Sequence, residues 1–535
     1  MAAPASLGLL GAGRGATAHS PAVGASTTTS AALLPSATAS PNPFSNDMPA
    51  ARVIGQSGFT TSASADTAAG LDSPGAVAFD SAGDLWVVDR TNNRVLEYKA
   101  PLTTGESASV VLGQASNSTD ASATSQAGFD LPSGIAFDGA GDVWVTDSYN
   151  DRVVEFVPPF YTGMNANIVL GQTSFVTATA GDTAAGMNFP FGLAFTATGD
   201  LLVSDFDNNR VLEFVPPFTD GMSASVALGQ ASLTTKAPAA SATGLYDPAG
   251  LAIDAAGDLF VGDLRNSRVV EFTPPFTTGE TESLVIGQTT FTGHAPSGAT
   301  AVNITSPTGL AIDSRGDLWV ADTEINRVLE FVPPFSNGMA ASRVIGQSTF
   351  TTAATSTSAT GLSGPLGVTL DEHGDLWVAD QTHNRVLEFV PTEYPVQFGA
   401  VGLASGTSWS VTFDGARFSS TSGTISLTQS NGSYAYSVGS VAGYAESPGS
   451  GSVVVNGSGA LVVFSFTSTI LGLTPASFWT TVAVVLAVLV VVEAAVVVML
   501  LVRRRRAPPR VPPTWSEGPP SAAAPSPSPP TPPPS

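Results

Sequence analysis

The sequence GDLWVVDRTNNRVLEY occupies Gly83–Tyr98, and close copies of it begin at five later positions. These copies start at Gly141, Gly199, Gly257, Gly316 and Gly374, so that successive copies are 58, 58, 58, 59 and 58 residues apart. A near-constant period of this length indicates one supersecondary unit that stacks on copies of itself. We therefore expect residues common to all six copies to form the scaffold, and residues that differ between copies to carry function.

Each repeat is predicted to contain four short strands, as the fourth copy illustrates. Its strands are expected at Gly250–Asp254, Asp258–Asp263, Arg268–Pro274 and Ser283–Gln288. β-Branched and aromatic residues dominate these segments, and no segment carries a helical apolar stripe. Six such units predict an all-β fold with a six-bladed β-propeller, which avoids exposed strand edges by closing a ring.

The closure of this ring is predicted by a displaced copy of the fourth strand. The sequence RVIGQ occurs at Arg52–Gln56, before the first complete repeat, and similar sequences end the first five repeats. No such sequence follows the sixth copy of the third strand, Asn384–Pro391. The N-terminal copy should therefore supply the outer strand of the last blade, which leaves no blade open.

The repeated pattern resembles the NHL repeat. It reads P-x-G-[LIV]-A-[FI]-D, then G-[DN]-[LV]-[WFL]-V-x-D, then N-R-V-[LV]-E-[FY], in register over roughly Arg52 to Pro391. The resemblance implies an NHL-type propeller over residues 51–392. It does not imply one activity, because this fold includes binding modules, sensor domains and some lyases.

The composition limits the class of partner. The 535-residue chain has 43 acidic and 20 basic residues, a formal net charge of −23, and no cysteine. An acidic chain is not expected to bind nucleic acid, because phosphate binding needs a basic surface. Adaptation for solubility or for a saline or acidic habitat accounts for the acidity, and cation binding is the alternative. Disulfides and thiolate chemistry are excluded.

The C-terminal region predicts a membrane anchor. Residues 482–502 are apolar except for one glutamate, Phe478 and Trp479 precede them, and Arg503–Arg506 follow at once. This length spans a bilayer core, and flanking arginines mark the cytoplasmic side. We expect a single transmembrane helix over residues 475–502, with the N-terminal domains outside the cell. Residues 503–535 are expected to form a cytoplasmic, proline-rich tail.

Two further features concern the membrane segment and the N-terminus. Glu493 is placed near the bilayer midplane, where a carboxylate is unfavourable. It either contacts a partner helix or is tolerated as a single acid in a long apolar helix. Residues 1–50 are rich in alanine, serine, threonine and proline, and they are expected to form a disordered leader or an incomplete signal region.

Residues 393–470 are predicted to form a small β-sandwich stalk. Alternating strands are expected at Ser408–Phe413, Thr424–Leu427, Ser433–Val438, Ser452–Val455 and Ala460–Phe466. The sequences SGTSWSVTFDG and GSYAYSVGSVAGYAESPGSGSVVVNGS resemble β-sandwich modules next to the membrane in archaeal surface proteins, including some attached to thermopsin-like proteases. The sequence contains no protease domain, so the resemblance implies only a stalk.

Repeated acidic residues are the first candidates for a site. An aspartate ends each second strand and an arginine follows five residues later, as in Asp89 and Arg94. A catalytic pair would be needed once rather than six times, so we interpret these pairs as scaffold. Asp80, Asp138, Asp254, Asp313 and Asp371 end the first strands, and Thr196 takes this position in the third repeat. They either form turns or make a ring of carboxylates that holds a cation.

Catalytic residues are not predicted. The first strands, which should line the channel, carry no histidine, glutamate or lysine, and the four histidines lack metal-ligand spacing. We therefore expect no catalytic residue, no metal site and no cofactor. A propeller enzyme of lyase or lactonase type remains the alternative.

Binding residues are predicted in the connectors between the second and third strands, where the copies differ. Loops on a rigid scaffold are the usual carriers of recognition. The candidates are Arg90, Tyr149, Phe206, Arg265, Ile325 and His383, and ordinary solvated turns are the alternative. Together these features predict a cell-surface protein that binds an extracellular protein or glycan without catalysis. A structural component of a surface layer is a third possibility.

Overall fold

The computed structural model describes residues 44–294, 298–391, 393–429, 432–455, 459–469, 477 and 479–487. The chain divides into two compact units. The first comprises Met1–Gly439 and Ser447–Ser465, and the second comprises Ser440–Glu446 and Phe466–Ser535.

The repeats form β-strands separated by short turns. In chain order the strands are β1 (Arg52–Ile54), β2 (Pro74–Phe79), β3 (Leu85–Asp89), β4 (Arg94–Tyr98), β5 (Val110–Leu112), β6 (Pro132–Phe137), β7 (Val143–Asp147), β8 (Arg152–Phe156), β9 (Ile168–Leu170), β10 (Pro190–Phe195), β11 (Leu201–Asp205), β12 (Arg210–Phe214), β13 (Val226–Leu228), β14 (Pro248–Ile253), β15 (Leu259–Asp263), β16 (Arg268–Phe272), β17 (Leu284–Ile286), β18 (Pro307–Ile312), β19 (Leu318–Asp322), β20 (Arg327–Phe331), β21 (Arg343–Ile345), β22 (Pro365–Leu370), β23 (Leu376–Asp380) and β24 (Arg385–Phe389).

These strands form propeller-like antiparallel sheets of four strands each. Sheet 1 contains β2–β5, sheet 2 β6–β9, sheet 3 β10–β13, sheet 4 β14–β17 and sheet 5 β18–β21, and sheet 6 has the order β1-β24-β23-β22. The first strand of each sheet lies beside the first strand of the next sheet, and β22 lies beside β2. As predicted, β1 pairs with β24, with Arg52 opposite Glu388 and Ile54 opposite Val386.

Glycine in the first strand of each sheet lets neighbouring sheets approach closely. A Cβ atom on Gly134 in β6 would lie 2.3 Å from the carbonyl oxygen of Phe191 in β10, and one on Gly192 would lie 2.3 Å from the carbonyl oxygen of Ala249. Such distances are far inside van der Waals contact. The glycine of the P-x-G motif is therefore required by the packing of the inner strands.

The core lies between neighbouring sheets. Trp86, Trp144, Trp319 and Trp377 in the second strands are fully buried. Trp86 of sheet 1 contacts Phe137 and Phe160 of sheet 2 edge-on, with ring centroids 5.8 and 4.9 Å apart. Burial of such large side chains between sheets stabilises the stack of repeats.

The residues from Phe44 onward also pack against the repeats, although the predicted propeller begins at residue 51. The ring of Phe44 contacts Trp319 of sheet 5 at 4.7 Å. Arg343 Nε donates to the carbonyl oxygen of Phe44 at 2.9 Å, and the Val344 amide donates to Asn46 Oδ1 at 3.0 Å. The sequence PFSNDM at residues 43–48 closely matches PFSNGM at residues 334–339, which lies in the loop before the outer strand of sheet 5. The N-terminal part of the repeat therefore includes this loop as well as the outer strand β1.

Residues after the propeller form two further four-stranded sheets. Their strands are β25 (Tyr394–Val401), β26 (Trp409–Phe413), β27 (Ala416–Ser420), β28 (Thr424–Gln429), β29 (Gly432–Val438), β30 (Tyr444–Ser447), β31 (Ser450–Val455) and β32 (Ala460–Ser468). Phe398 of β25 contacts Phe413 of β26 and Tyr436 of β29, so the two sheets pack face to face. All five predicted strands are present. β25, β27 and β30 were not predicted, because Gly, Ser and Arg interrupt their alternation.

The predicted membrane segment lies mostly outside the described residues. Residues 479–487 are helical. No helix within the described part of the chain is both long and apolar enough to cross a membrane. Most of the expected span 475–502, including Glu493, and all of the expected tail at 503–535 fall outside those residues.

Candidate functional site

The connectors between the second and third strands are built on a buried ion pair. Asp147 Oδ2 accepts a hydrogen bond from Arg152 Nε at 2.7 Å, and both side chains are buried. The equivalent pairs are Asp89–Arg94, Asp205–Arg210, Asp263–Arg268, Asp322–Arg327 and Asp380–Arg385. Burial raises the pKa of Asp147 to about 6, and the Arg152 charge opposes this rise. The predicted pairing is therefore confirmed in every sheet.

The third residue of the connector completes this buried network. In sheets 1 to 4 it is an asparagine, as in Asn150, whose Nδ2 donates to Asp147 Oδ2 at 2.8 Å. His383 takes this position in sheet 6 and is buried, with Nδ1 2.9 Å from Asp380 Oδ2. Ile325 takes it in sheet 5 and is half-buried. Both predicted binding residues therefore occupy a scaffold position, and the structure does not bring them near the other candidates.

Four aromatic side chains of sheets 2 and 3 form a continuous cluster, which we call the aromatic cluster. It comprises Tyr149, Phe189, Phe191 and Phe206. Ring centroids are 5.4 Å apart for Tyr149–Phe189 and 5.7 Å apart for both Phe189–Phe206 and Phe191–Phe206. Tyr149 is 59% exposed. The structure thus brings together two of the predicted binding residues, Tyr149 and Phe206.

Arg90 of sheet 1 joins this cluster. Its guanidinium carbon lies 5.7 Å from the ring centroid of Phe191, in a cation–π arrangement. Burial lowers the pKa of the Arg90 guanidinium to about 10, and the nearby Tyr149 hydroxyl opposes this shift. Arg90 is therefore charged at neutral pH and contacts the edge of the aromatic cluster.

Arg265 lies on the connector of sheet 4. It is exposed, and its Nε donates to Asp247 Oδ2 at 3.1 Å. Burial raises the pKa of Asp247, and the charge of Asp207 on sheet 3 raises it further. Arg265 is thus a paired surface charge beside the aromatic cluster.

Phe189 and Phe191 were not predicted, although they hold the cluster together. Both flank the proline that opens β10, in the sequence NFPFG at residues 188–192. The corresponding sequences are LPSG at 131–134 and DPAG at 247–250, so these positions also differ between copies. Comparing the starts of the first strands, as well as the connectors, would have identified them.

A cavity of about 430 Å³ lies between the first strands of all six sheets. Its lining includes Phe191, Leu193 and Leu366 together with strand glycines, and its polar side chains are the hydroxyls of Ser133, Thr308 and Thr369. None of these described lining residues carries a carboxylate, an imidazole or an ammonium group. Arg90, Gly75 and Phe191 meet at the end of this cavity that faces the connectors.

The aspartates that end the first strands form turns at the opposite end of the sheets. Asp80 Oδ1 accepts from the amides of Ala82 and Asp84, and Asp80 Oδ2 accepts from Trp86 Nε1 at 3.2 Å. The same bonds recur around Asp138 and Asp371. These contacts support the turn interpretation, in which the carboxylate fixes the chain reversal and the tryptophan ring.

Four of the five aspartates that end the first strands also lie near two other carboxylates of their own sheet. Four such triads have oxygens within 4.8 Å of one another, namely Asp80–Asp84–Glu97, Asp138–Asp142–Glu155, Asp313–Asp317–Glu330 and Asp371–Asp375–Glu388. Lys99, Arg315 and Arg52 provide cations to the first, third and fourth of them. The carboxylates are therefore distributed in separate clusters rather than in a single ring, and carboxylate oxygens are the donors that Ca²⁺ would take.

Comparison with known proteins supports the repeat assignment. The family model described as NHL repeat matches residues 129–156, 245–272 and 305–331. No curated protein matches the sequence. Similar solved structures include a streptogramin B lyase, with 13% identity over 61% of this chain and 95% of that chain and a TM-score of 0.35.

Two other similar structures have different descriptions. A gluconolactonase from Xanthomonas campestris is 14% identical over 64% of this chain and 96% of its own, with a TM-score of 0.38. An auxiliary nutrient binding protein from Bacteroides thetaiotaomicron is 12% identical over 64% of this chain and 75% of its own, with a TM-score of 0.41. Three stretches of the chain therefore match the NHL repeat, and each lies in a four-stranded, propeller-like sheet.

Proposed function

We propose that this chain is a six-bladed NHL-type propeller that binds an extracellular protein or glycan without catalysis. The binding surface is the connector face, defined as the ends of the sheets that carry the connectors and the long loops between sheets. The aromatic cluster is the observation that supports this proposal.

The chemistry of the aromatic cluster is suited to recognition. Tyr149 presents more than half of its surface, while Phe189 contacts its ring and is itself packed against Phe206. Rigid aromatic side chains contribute large contact area with little loss of conformational entropy, and they dominate many binding interfaces. The exposed Asp207 and Arg265 add a polar rim that orients a partner.

The proposal of binding without catalysis is supported by the channel. Acid–base catalysis needs a titratable group within hydrogen-bond reach of the substrate. The described residues that line the channel cavity offer backbone, apolar side chains and hydroxyls. A lyase or lactonase would use this cavity, so its lining favours the binding function.

The proposed location is the cell surface, and it depends on the sequence alone. The apolar residues 482–502 and Arg503–Arg506 are the supporting features, with Glu493 as a possible contact for a partner helix. A protease added to intact cells should remove the propeller and leave a C-terminal tag protected. Protection of the propeller would contradict this topology.

The binding proposal is tested with the purified full-length chain. It is applied to a glycan array and to cell-surface protein extracts with chemical cross-linking, and each captured species is identified. Binding should be lost in the double variant Tyr149→Ala/Phe206→Ala and kept in Tyr161→Ala, since Tyr161 is 61% exposed on the loop between β8 and β9. Capture of only copies of the chain itself would favour a structural surface layer, and turnover of a lactone or of streptogramin B would favour an enzyme.

A further inference from the structure

Arg90 is the starting point, because its side chain lies against two residues that line the channel cavity, Gly75 and Phe191. A Cβ atom on Gly75 in β2 would lie 2.5 Å from Arg90 Cδ, so the arginine side chain rests directly on the backbone of the inner strand. Its guanidinium then reaches Phe191 of sheet 3. Gly75 and Phe191 both line the cavity. Arg90 therefore spans from sheet 1 to sheet 3 over the cavity end.

The guanidinium of Arg90 makes no hydrogen bond within the described residues. Its Nε is buried and makes no hydrogen bond. Every other arginine in the described ranges donates at least one hydrogen bond, for example Arg94 to Asp89, Arg343 to the carbonyl oxygen of Phe44 and Arg417 to Ser410. A buried donor without an acceptor is unfavourable, and more so when it is charged. This cost is offset if a ligand supplies the acceptor.

The surroundings of Arg90 limit the charge of such a ligand. The connector face near sheets 2 to 4 carries the acids Asp130, Asp151, Asp207 and Asp247. The whole chain has a net charge of −23. A dianion or a polyanion would be repelled, whereas a single carboxylate matches the fork of one guanidinium.

The cavity limits the body of the ligand. It has a volume of about 430 Å³ and is lined by glycine backbone and by apolar side chains such as Phe191, Leu193 and Leu251. Such a cavity favours a compact ring or aliphatic group, which would stack against Phe191. Water-filled space of this size is favourably replaced by apolar surface.

We propose that the channel end binds a monocarboxylate with a compact apolar body, with its carboxylate on Arg90 and its body in the cavity against Phe191. The free acid and the same group carried by a larger partner share this chemistry. This site does not depend on the binding of a protein or glycan by the aromatic cluster, and either proposal stands if the other fails.

The test compares benzoate with benzamide on the purified full-length chain by isothermal titration calorimetry at pH 7. The two probes have the same shape and differ in charge. Benzoate should bind at least about tenfold more tightly, because a charge-assisted hydrogen bond contributes that much. Terephthalate, a dianion of similar shape, should bind more weakly than benzoate. Equal binding of benzoate and benzamide, or binding of neither, would overturn the proposal without any variant.

Two variants then locate the site. Arg90→Met removes the charge and keeps the volume, so the preference for benzoate over benzamide should disappear. Arg417→Met is the control, because Arg417 lies in the sandwich, is exposed and already donates to Ser410. It should keep the full preference. A preference that survives Arg90→Met, or one that is lost in Arg417→Met, would refute the assignment. A larger partner that carries the same group is distinguished from a free acid by competition. Free benzoate should displace such a partner from the chain.

Discussion

The two faces of the propeller are built from the same repeat. They differ in whether a residue that varies between copies finds bonding partners within its own sheet. On the connector face, Arg90 stands where sheet 2 has Ser148, and its buried Nε has no hydrogen-bond partner among the described residues. Tyr149 stands where sheet 1 has Thr91, and it is exposed. The turn face is defined by the turns between first and second strands. There, a residue that differs between copies forms ion pairs with residues of its own sheet. Arg315 binds Asp313, Asp317 and Glu330, and Trp319 Nε1 then has no acceptor.

This difference separates scaffold from site. A residue that differs between copies but bonds to its own sheet preserves the repeat. A differing residue without such a bond is available for a ligand. Under the connector face the Asp–Arg pairs are alike in every sheet, and the differing residues lie above them. The comparison therefore supports the proposal that a partner binds at the connector face.

The largest expected effect is on the buried pairs. Asp147→Ala should lower the free energy of unfolding by about 3–5 kcal/mol, because it leaves Arg152 buried without its carboxylate. Urea denaturation followed by tryptophan fluorescence measures this loss. The control Asp247→Ala breaks an ion pair with the exposed Arg265 and should cost less than about 1 kcal/mol. Similar losses in both variants would contradict the scaffold assignment.

The next effect concerns the aromatic cluster alone. Phe206→Ala should weaken binding of the captured partner by roughly 30-fold, which corresponds to a hot-spot residue of about 2 kcal/mol. It removes the ring that contacts both Phe189 and Phe191. Surface plasmon resonance measures the change. Unchanged affinity, with a thermal unfolding midpoint equal to that of the parent chain, would move the binding site elsewhere.

A pH effect is expected at Glu282, which replaces the alanine found at Ala166 and Ala224 in sheets 2 and 3. Its Oε1 lies 3.0 Å from Arg268 Nη2, but Arg268 is already paired with Asp263, and burial raises the pKa of Glu282 to about 9. The folded state therefore binds this proton more tightly than the unfolded state. Its contribution to stability is fully present below about pH 4.5 and is lost as the pH rises through about 9.

Glu282→Ala should therefore become more stable than the parent chain as the pH rises from 5 to 9, by up to about 1 kcal/mol per pH unit. Urea denaturation at pH 5, 7 and 9 measures the trend. The control Glu324→Ala removes an exposed carboxylate of sheet 5 and should show no such trend. A constant difference between Glu282→Ala and the parent chain would show that Glu282 is charged in the folded state.

The smallest effect is expected on the turn face. Lys99 binds Asp84 and Glu97, is 57% exposed on its side chain, and corresponds to Val157 in sheet 2. Lys99→Val makes sheet 1 resemble sheet 2 and should cost at most about 1 kcal/mol, less in 1 M salt. Urea denaturation with and without 1 M salt measures this cost. A cost of about 3 kcal/mol or more, or one that salt leaves unchanged, would contradict the prediction.

Much of the fold was predictable because the sequence repeats. The four-strand unit, the pairing of β1 with β24 and the Asp–Arg pairs follow from spacing and from counting strands. The packing of Phe44 on Trp319 was missed because the repeated loop sequence lies beyond the strand signature. In the sandwich, β27 was missed because Arg417 and two serines hide its alternation.

The candidate site was less predictable. Tyr149, Phe206 and Arg90 were selected because they differ between copies, and the structure groups them. His383 and Ile325 also differ, but they substitute for the asparagine that binds the buried aspartate, a role that appears only in the hydrogen bonds. Phe189 and Phe191 belong to a different strand end, so their proximity depends on how neighbouring sheets meet.

The pairing of β1 with β24 also determines when the propeller can be completed during synthesis. Arg52 and Glu388 are 336 residues apart, yet they lie on neighbouring strands. A growing chain must therefore keep its first strand unpaired until the last sheet has been translated, and β24 has an open edge until then. The earlier sheets can pair internally. The final step of propeller assembly is therefore the pairing of β1, which is translated early, with β24, which is translated late.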